Sequence, residues 1–596
     1  MAPGAITTRE RSAYGALAAL VFLYVAVRAA VVPLVHDEAA SYLWFVQTGE
    51  LIPFHAHWDA NNHVVNTLCG WLGDRLFGTS LLALRWGNVA AFAVYALAAY
   101  RLGRFCAYPF VRWSCWSALL LCPFALDLFS LFRGYGIGLA GLLFGIERII
   151  TFCGTRRAAV LWRAVVALVI ALYADLSLLP TALVLVMLAM LGARSVFRRS
   201  RRQGWWAVGA LVFGAMASAY AVYLGLLMQR LGLLYHGSLV GFIPVTVGSL
   251  CRYVLGSDHA AVIASVIAVG GMAVLLSVLL LLHSRAWGGP LSIVLALLLT
   301  EVVGRIVLGH LFQVNFPEDR AAVHLVPVLV LLLAFASDAL ARLQAGLHWA
   351  AVVLLVLPLR TLATLNLDHT QLWPEQSIPP RFLRAVAALQ QQADRPLVIG
   401  GYHQLQLSWP WGARLAQVDV QPLCYEGFPE GTHDLRIVDA RFIDRARSGY
   451  HELDHAKGPG LWLLERNEPP VLTPIDTLYA PSVTTEAEFV NLGEPPLEAL
   501  RTNELMADIR FGFACARPTL EVMVAIEVND SAGGKLHYET FSPMAMQKDW
   551  RGERVHVLRR IPRCPGAARA VIYVYNGPRC TIALKDPRTV ILAVHP

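Results

Sequence analysis

From near its start to about Leu365 the chain is a succession of apolar runs of roughly 18 to 25 residues, the length a helix needs to cross the hydrocarbon of a bilayer. Nothing else constrains the fold as strongly, because in lipid the backbone polar groups of each segment must be satisfied internally. The runs lie near 14–32, 82–100, 113–132, 135–152, 161–175, 177–193, 207–228, 260–283, 290–311, 322–337 and 348–365. They predict a polytopic α-helical membrane domain of about 11 spans. A chain that is 57% hydrophobic and 15% charged is too apolar for an ordinary soluble protein. Beyond residue 365 charge, proline and glycine return to soluble levels, so the expected domains are a membrane unit over 1–365 and a soluble tail.

The net charge of +8 does not point to nucleic acid, because the arginines sit in alternate gaps between apolar runs. Arg9 and Arg11 precede the first run. Arg101, Arg104 and Arg112, then Arg156, Arg157 and Arg163, then Arg194, Arg198, Arg199, Arg201 and Arg202 fill later gaps. The positive-inside rule makes those gaps cytoplasmic. The first run has no small-residue cleavage site after it and reads as a retained span. An N-terminus in the cytoplasm and an odd number of spans place the tail on the far side, periplasmic or extracellular, with a bacterial inner membrane as the expected location.

The tail divides in two. Over 366–470, strand-like "RPLVIGGY", "LRIVDA" and "LWLLER" alternate with helical or polar stretches, which predicts a small α/β domain. Over 471–596, short alternating segments recur between turn signals, which predicts a β-sandwich, and "VYNGPRCTIALKD" looks like the closing strands of a jelly roll. Cys424, Cys515, Cys564 and Cys580 lie in this tail, where an oxidising compartment permits bridges; four cysteines allow three pairings and the sequence does not choose among them.

Chemistry-bearing residues gather in the expected outer loops. "VHDEA" puts Asp37 and Glu38 where the first span ends. A carboxylate at a membrane edge can serve as a general base toward a substrate whose other half is lipid, while its plain alternative is the cap of a surface helix. "HAHWDANNHVV" brings His55, His57, Asp59, Asn62 and His63, with no strong metal spacing. "LDLFSLFRGYG" carries Asp127, Arg133 and Tyr135; "PEDRAAVHLVP" carries Glu318, Asp319, Arg320 and His324. An arginine there either snorkels to the interface or clamps a lipid phosphate through its planar fork. Glu301 and Arg305, four apart in one span, read as a structural ion pair.

Taken together, "HDEA", "NNHVVNTL", "FRGYG" and "PEDRAAVHLVP" resemble the membrane glycosyltransferases of the GT-C superfamily, in particular bacterial relatives of protein O-mannosyltransferases and of the enzymes that add aminoarabinose to lipid A. The resemblance covers roughly 12–365. It implies a transferase that takes a sugar from a polyprenyl-phosphate donor at the extracytoplasmic face, inverts the anomeric centre, and passes the sugar to a glycan, lipid or protein acceptor. Asp37 matches the general base, with Glu38 beside it to tune it or bind acceptor. Arg320 first and Arg133 second are the donor-phosphate ligands, and Asn62, His63, Tyr135 and His324 position substrates among the membrane lipids. A divalent metal ion is the one cofactor left open, with Asp127 and His57 as candidate ligands, because the second acidic pair of better-known relatives has no clear counterpart; Asp175 is a further acid in the next hairpin. The rival reading is a transporter or flippase of lipid-linked sugars, but no internal repeat is evident and the charges gather at one face. A surface receptor whose tail binds glycans is a third.

Overall fold

The computed structural model describes residues 6–595 apart from 57, 235, 286, 518 and 549–552. The chain forms two compact units, one of Met1–Val31 with Gly49–Leu367 and one of Val32–Thr48 with Asp368–Pro596.

The first unit is helical. Among the described residues nine helices are long and apolar enough to cross a membrane: Thr8–Val31, Leu81–Gly103, Tyr135–Thr155, Leu176–Arg198, Arg201–Arg230, Ala260–Ser284, Pro290–Phe312, Asp319–Leu343 and Ala345–Thr364. The expected run near 113–132 is a bent pair, Pro109–Leu120 and Pro123–Phe129, meeting at 47°. Pro123 explains the break: it offers no backbone N–H, and it pushes Cys122 to an extended conformation (φ −99, ψ 115). The run near 161–175 is the shorter helix Ala158–Ala174.

Local chemistry fixes the ends. Thr7 and Glu10 form a reciprocal cap, Glu10 N–H donating to Thr7 Oγ1 at 3.1 Å and Thr7 N–H to the Glu10 carboxylate at 2.9 Å. Small residues let helices approach: a Cβ on Gly141 would lie 2.7 Å from the Ala167 carbonyl oxygen, so Tyr135–Thr155 and Ala158–Ala174 pack backbone to backbone there. Several buried charges are paired, as burial favours. Arg28 pairs with Asp127, donates to Ser130 Oγ at 3.1 Å, and donates to the Asn366 carbonyl at 2.8 Å, tying the first helix to the bent pair and to the unit's last residues.

The second unit is β-rich. Its first sheet sets Ile399–Gly400 parallel to Leu435–Asp439, followed by antiparallel Leu461–Arg466 and Tyr450–Ala456. Phe382, Leu383 and Val386 of helix Pro380–Gln392 and Trp409 of helix Ser408–Ala416 close its core over Ile399, Ile437 and Leu463. Two antiparallel sheets follow. One orders Lys535–Phe541, Val522–Asn529, Arg569–Asn576 and Phe489–Gly493; the other orders Arg554–Ile561, Leu505–Cys515, Ile582–His595 and Val471–Tyr479. In Arg569–Asn576 the residues Ala570, Ile572, Val574 and Asn576 are buried and their neighbours are not, the period of two that a half-buried strand imposes. Arg559 joins the two parts of the unit, donating to the carbonyls of Pro422 and Leu423 at 2.7 Å and pairing with Glu539.

Residues 32–48 pack with this second unit. The helix His36–Ser41 and the π-helical turn Tyr42–Val46 are held by His36 N–H donating to Gln376 Oε1 at 3.0 Å and by Tyr42 set edge-on against Trp411 at 4.6 Å.

Candidate active site

In the first unit, Tyr135 is the centre of a cluster assembled from distant parts of the chain. Arg320 Nε donates to Tyr135 Oη at 3.1 Å, and the Arg320 and Arg133 guanidinium carbons lie 6.0 and 5.9 Å from the Tyr135 ring centroid. His63 meets the same ring edge-on at 4.9 Å and is fixed through Nδ1, which donates to the Ala174 carbonyl at 2.7 Å. Arg133 donates through Nη1 to Asn61 Oδ1. Tyr135, Arg320, Arg133 and His63 are all buried.

The "FRGYG" segment can adopt this arrangement because of its first glycine. A Cβ at Gly134 would stand 1.7 Å from the Ala174 carbonyl oxygen and 2.8 Å from His63 Nδ1, so only a residue without a side chain lets the turn lie on both. Gly136 is similarly closed in by Asn88 Oδ1, which accepts from the Ile137 N–H at 3.1 Å.

The other expected residues fall into different places. Asn62 holds its own loop, its Oδ1 accepting from Thr67 Oγ1 at 3.1 Å and its Nδ2 donating to the Leu51 carbonyl at 3.3 Å. Its neighbour Asn61, which pattern reading passed over, is the one on Arg133. His324 does not join the Tyr135 group through any contact described; its Nε2 meets Glu301 Oε1 at 3.0 Å, and that carboxylate also takes Arg305 Nε at 2.8 Å and Thr181 Oγ1 at 2.9 Å. Asp319, at φ +51, has its N–H on Ser249 Oγ at 2.9 Å and thereby turns the chain just before Arg320. Asp127 lies against Arg28 and so is engaged in an ion pair. His57 lies outside the described residues.

The second unit holds the two acids, and it separates their roles. Glu38 is fully buried and its carboxylate accepts the Val35 N–H at 3.1 Å, capping the start of the helix from its first turn. Asp37, in the first turn, is only partly buried. Of the two acids, Glu38 is the one that accepts the backbone N–H at the start of the helix.

One further group of metal-capable side chains comes together among the described residues: Cys424, Glu426 and His433, whose ligand atoms lie within 4.8 Å of one another. Glu426 Oε1 is already shared between His433 Nε2 at 3.1 Å and Arg560 Nη1 at 2.9 Å. Burial opposes ionisation of Glu426, and the contacts from His433 and Arg560 overcome it and hold the carboxyl below its usual range. A guanidinium at that oxygen disfavours a cation, and the cluster reads as a polar joint.

No protein-family model matches the chain, and no characterised protein matches it in sequence. Solved structures do. ArnT from Cupriavidus metallidurans in the apo state is 12% identical at a TM-score of 0.44, covering 77% of this chain and 98% of its own. The arabinosyltransferase EmbB from Mycobacterium smegmatis is 12% identical at 0.39, covering 99% of this chain and 66% of its own. An Archaeoglobus fulgidus oligosaccharyltransferase tethered to an acceptor peptide is 10% identical at 0.38, covering 76% and 74%.

Proposed function

We propose that this protein is an inverting glycosyltransferase that moves a sugar from a polyprenyl-phosphate donor to an acceptor at the extracytoplasmic face of the membrane. The observation that carries the reading is the gathering of Arg320, Arg133 and His63 around Tyr135 in a largely apolar helical unit. Two guanidiniums presented on one buried phenol form a forked donor set suited to a phosphate. As the bond between sugar and phosphate breaks, negative charge grows on the leaving phosphate, and fixed cations stabilise that charge more than they stabilise the ground state.

In this proposal Asp37 is the general base. It takes the proton of the acceptor hydroxyl or amine as that group attacks the anomeric carbon opposite the phosphate, and inversion follows. Glu38 is a positioning residue, since its cap sets the helix turn that carries Asp37. Arginines neutralise the phosphate in this reading, and a chelator added to the transfer assay measures what a divalent ion contributes. The donor is a lipid, the acceptor a glycan, lipid or protein, and the tail is non-cytoplasmic.

The test is transfer of radiolabelled sugar from a panel of polyprenyl-phosphate sugars by purified protein in lipid, with Asp37→Asn and Arg320→Ala beside wild type. Transfer lost in both variants, with donor binding kept by Asp37→Asn, is the expected result. Normal turnover by Asp37→Asn removes the assigned base. Tight donor binding with no sugar release from any donor would favour the lipid-linked-sugar carrier instead.

A further inference from the structure

Cys515 closes strand Leu505–Cys515 and pairs in register with Ile582, while Cys580 stands in the turn that leads into strand Ile582–His595. The two thiol sulfurs are 3.1 Å apart across 65 residues of sequence. That is about 1 Å more than a covalent disulfide length of about 2.05 Å.

The backbone on both sides is already pinned. Ala516 N–H donates to the Thr581 carbonyl at 3.0 Å, Cys580 N–H donates to Asn576 Oδ1 at 3.2 Å, and Asn576 Nδ2 donates to the Cys580 carbonyl at 2.8 Å. The two thiols therefore project from backbone segments that these contacts hold side by side. Among the described residues neither remaining tail cysteine has a thiol at such a distance: Cys424 lies in an apolar cluster with Val398, Met506 and Leu558, and Cys564 donates to the Pro562 carbonyl at 3.3 Å.

We propose that Cys515 and Cys580 form a structural disulfide in the mature protein and that Cys424 and Cys564 stay reduced. The inference rests on the non-cytoplasmic placement of the tail in the proposed function. The oxidant is a protein or small-molecule disulfide of an oxidising compartment. The thiolate of Cys515, the more exposed of the pair, attacks that disulfide, forming a mixed disulfide and releasing one oxidant thiol. Cys580 then displaces the second, so two protons and two electrons leave the pair and the oxidant's disulfide becomes two thiols. Burial first, and then the neighbouring thiol, push the Cys580 thiol up to about 12.

The experiment uses the full chain in its own membranes. Free thiols are blocked with N-ethylmaleimide in denaturant, the protein is reduced, and newly exposed thiols take an isotopic form of the reagent before mass spectrometry. Label on Cys515 and Cys580 only after reduction, with Cys424 and Cys564 blocked in the first step, is the expected pattern. In Cys515→Ser, Cys580 moves to the first step. Reductant lowers the unfolding temperature of wild type by on the order of 10 °C and leaves that of Cys515→Ser unchanged. First-step labelling of both cysteines in wild type overturns the proposal. Oxidised glutathione added to that purified protein then locates the fault: a 515–580 bridge formed in vitro indicts the placement of the tail, and persistent thiols indict the geometry.

Discussion

Tyr135→Phe isolates what the phenol does for Arg320. The substitution keeps the ring, and with it the face that both guanidiniums approach, and removes only the oxygen that accepts from Arg320 Nε at 3.1 Å. A hydrogen bond to a buried charged group contributes about 1.5–3 kcal/mol, so transfer is expected to fall about 10- to 150-fold. Because the donor phosphate carries one negative charge at rest and gains a second as the sugar departs, the loss falls more on kcat than on KM. Arg320→Ala removes the cation itself and is expected to cost about 10²- to 10³-fold. The assay is steady-state transfer in lipid from the donor that the panel identifies, with thermal unfolding as the control for folding; Phe fits the cavity that Tyr leaves. Wild-type kcat in Tyr135→Phe, beside an inactive Arg320→Ala, would refute the positioning role of Tyr135. Wild-type rates in both would remove the cluster from the chemistry.

Gly134→Ala drives a Cβ to within 1.7 Å of a backbone carbonyl that cannot swing away; the expected cost is about 3 kcal/mol or more, read as a lowered unfolding temperature, and a fully stable Gly134→Ala contradicts the packing described. Glu38→Ala opens the cap on Val35 N–H and is expected to destabilise by about 1 kcal/mol while lowering transfer, whereas Glu38→Gln restores most of both. Burial, aided by Arg560 and Arg559, lowers His537 to about 4 from 6.5. The folded state therefore refuses a proton that the unfolded state accepts: stability is full above about pH 6.5, declines by up to about 3 kcal/mol as pH falls toward 4, and then levels off. Denaturant unfolding of the second unit's strands, followed by hydrogen exchange at pH 7 and pH 4.5, measures this. His537→Gln should flatten the profile, and an unchanged slope in that variant would assign the acid sensitivity elsewhere.

The membrane helices were legible in the sequence because hydropathy is a local, summed property. Each apolar run is read from its own residues, and each of the expected runs has a helical counterpart among the described residues. The break at Pro123 was also within reach, since proline acts on its immediate neighbours. The β-rich tail announced itself through alternation and turn residues, and its strands keep that period. The residue types that gather around Tyr135 could be named in advance for the same reason: arginine, tyrosine and histidine carry their chemistry wherever they stand.

What the sequence left undetermined is which of those residues meet. Tyr135 and Arg320 are 185 positions apart, and no local signal reports that a phenol in one hairpin receives the guanidinium of another. Asn61 and Asn62 are chemically identical neighbours, and only the path of the loop puts Asn61 on Arg133 and turns Asn62 inward. His324 and Glu301 are 23 positions apart, and only the packing of their helices sets the imidazole on that carboxylate. Asp127 became the partner of Arg28, and Glu38 the acceptor of the Val35 N–H, because burial penalises an unpaired charge and the fold selects the partner that is near. Composition and periodicity determine what can be buried and what must span; the pairing of distant side chains is decided only when packing brings them within hydrogen-bonding range.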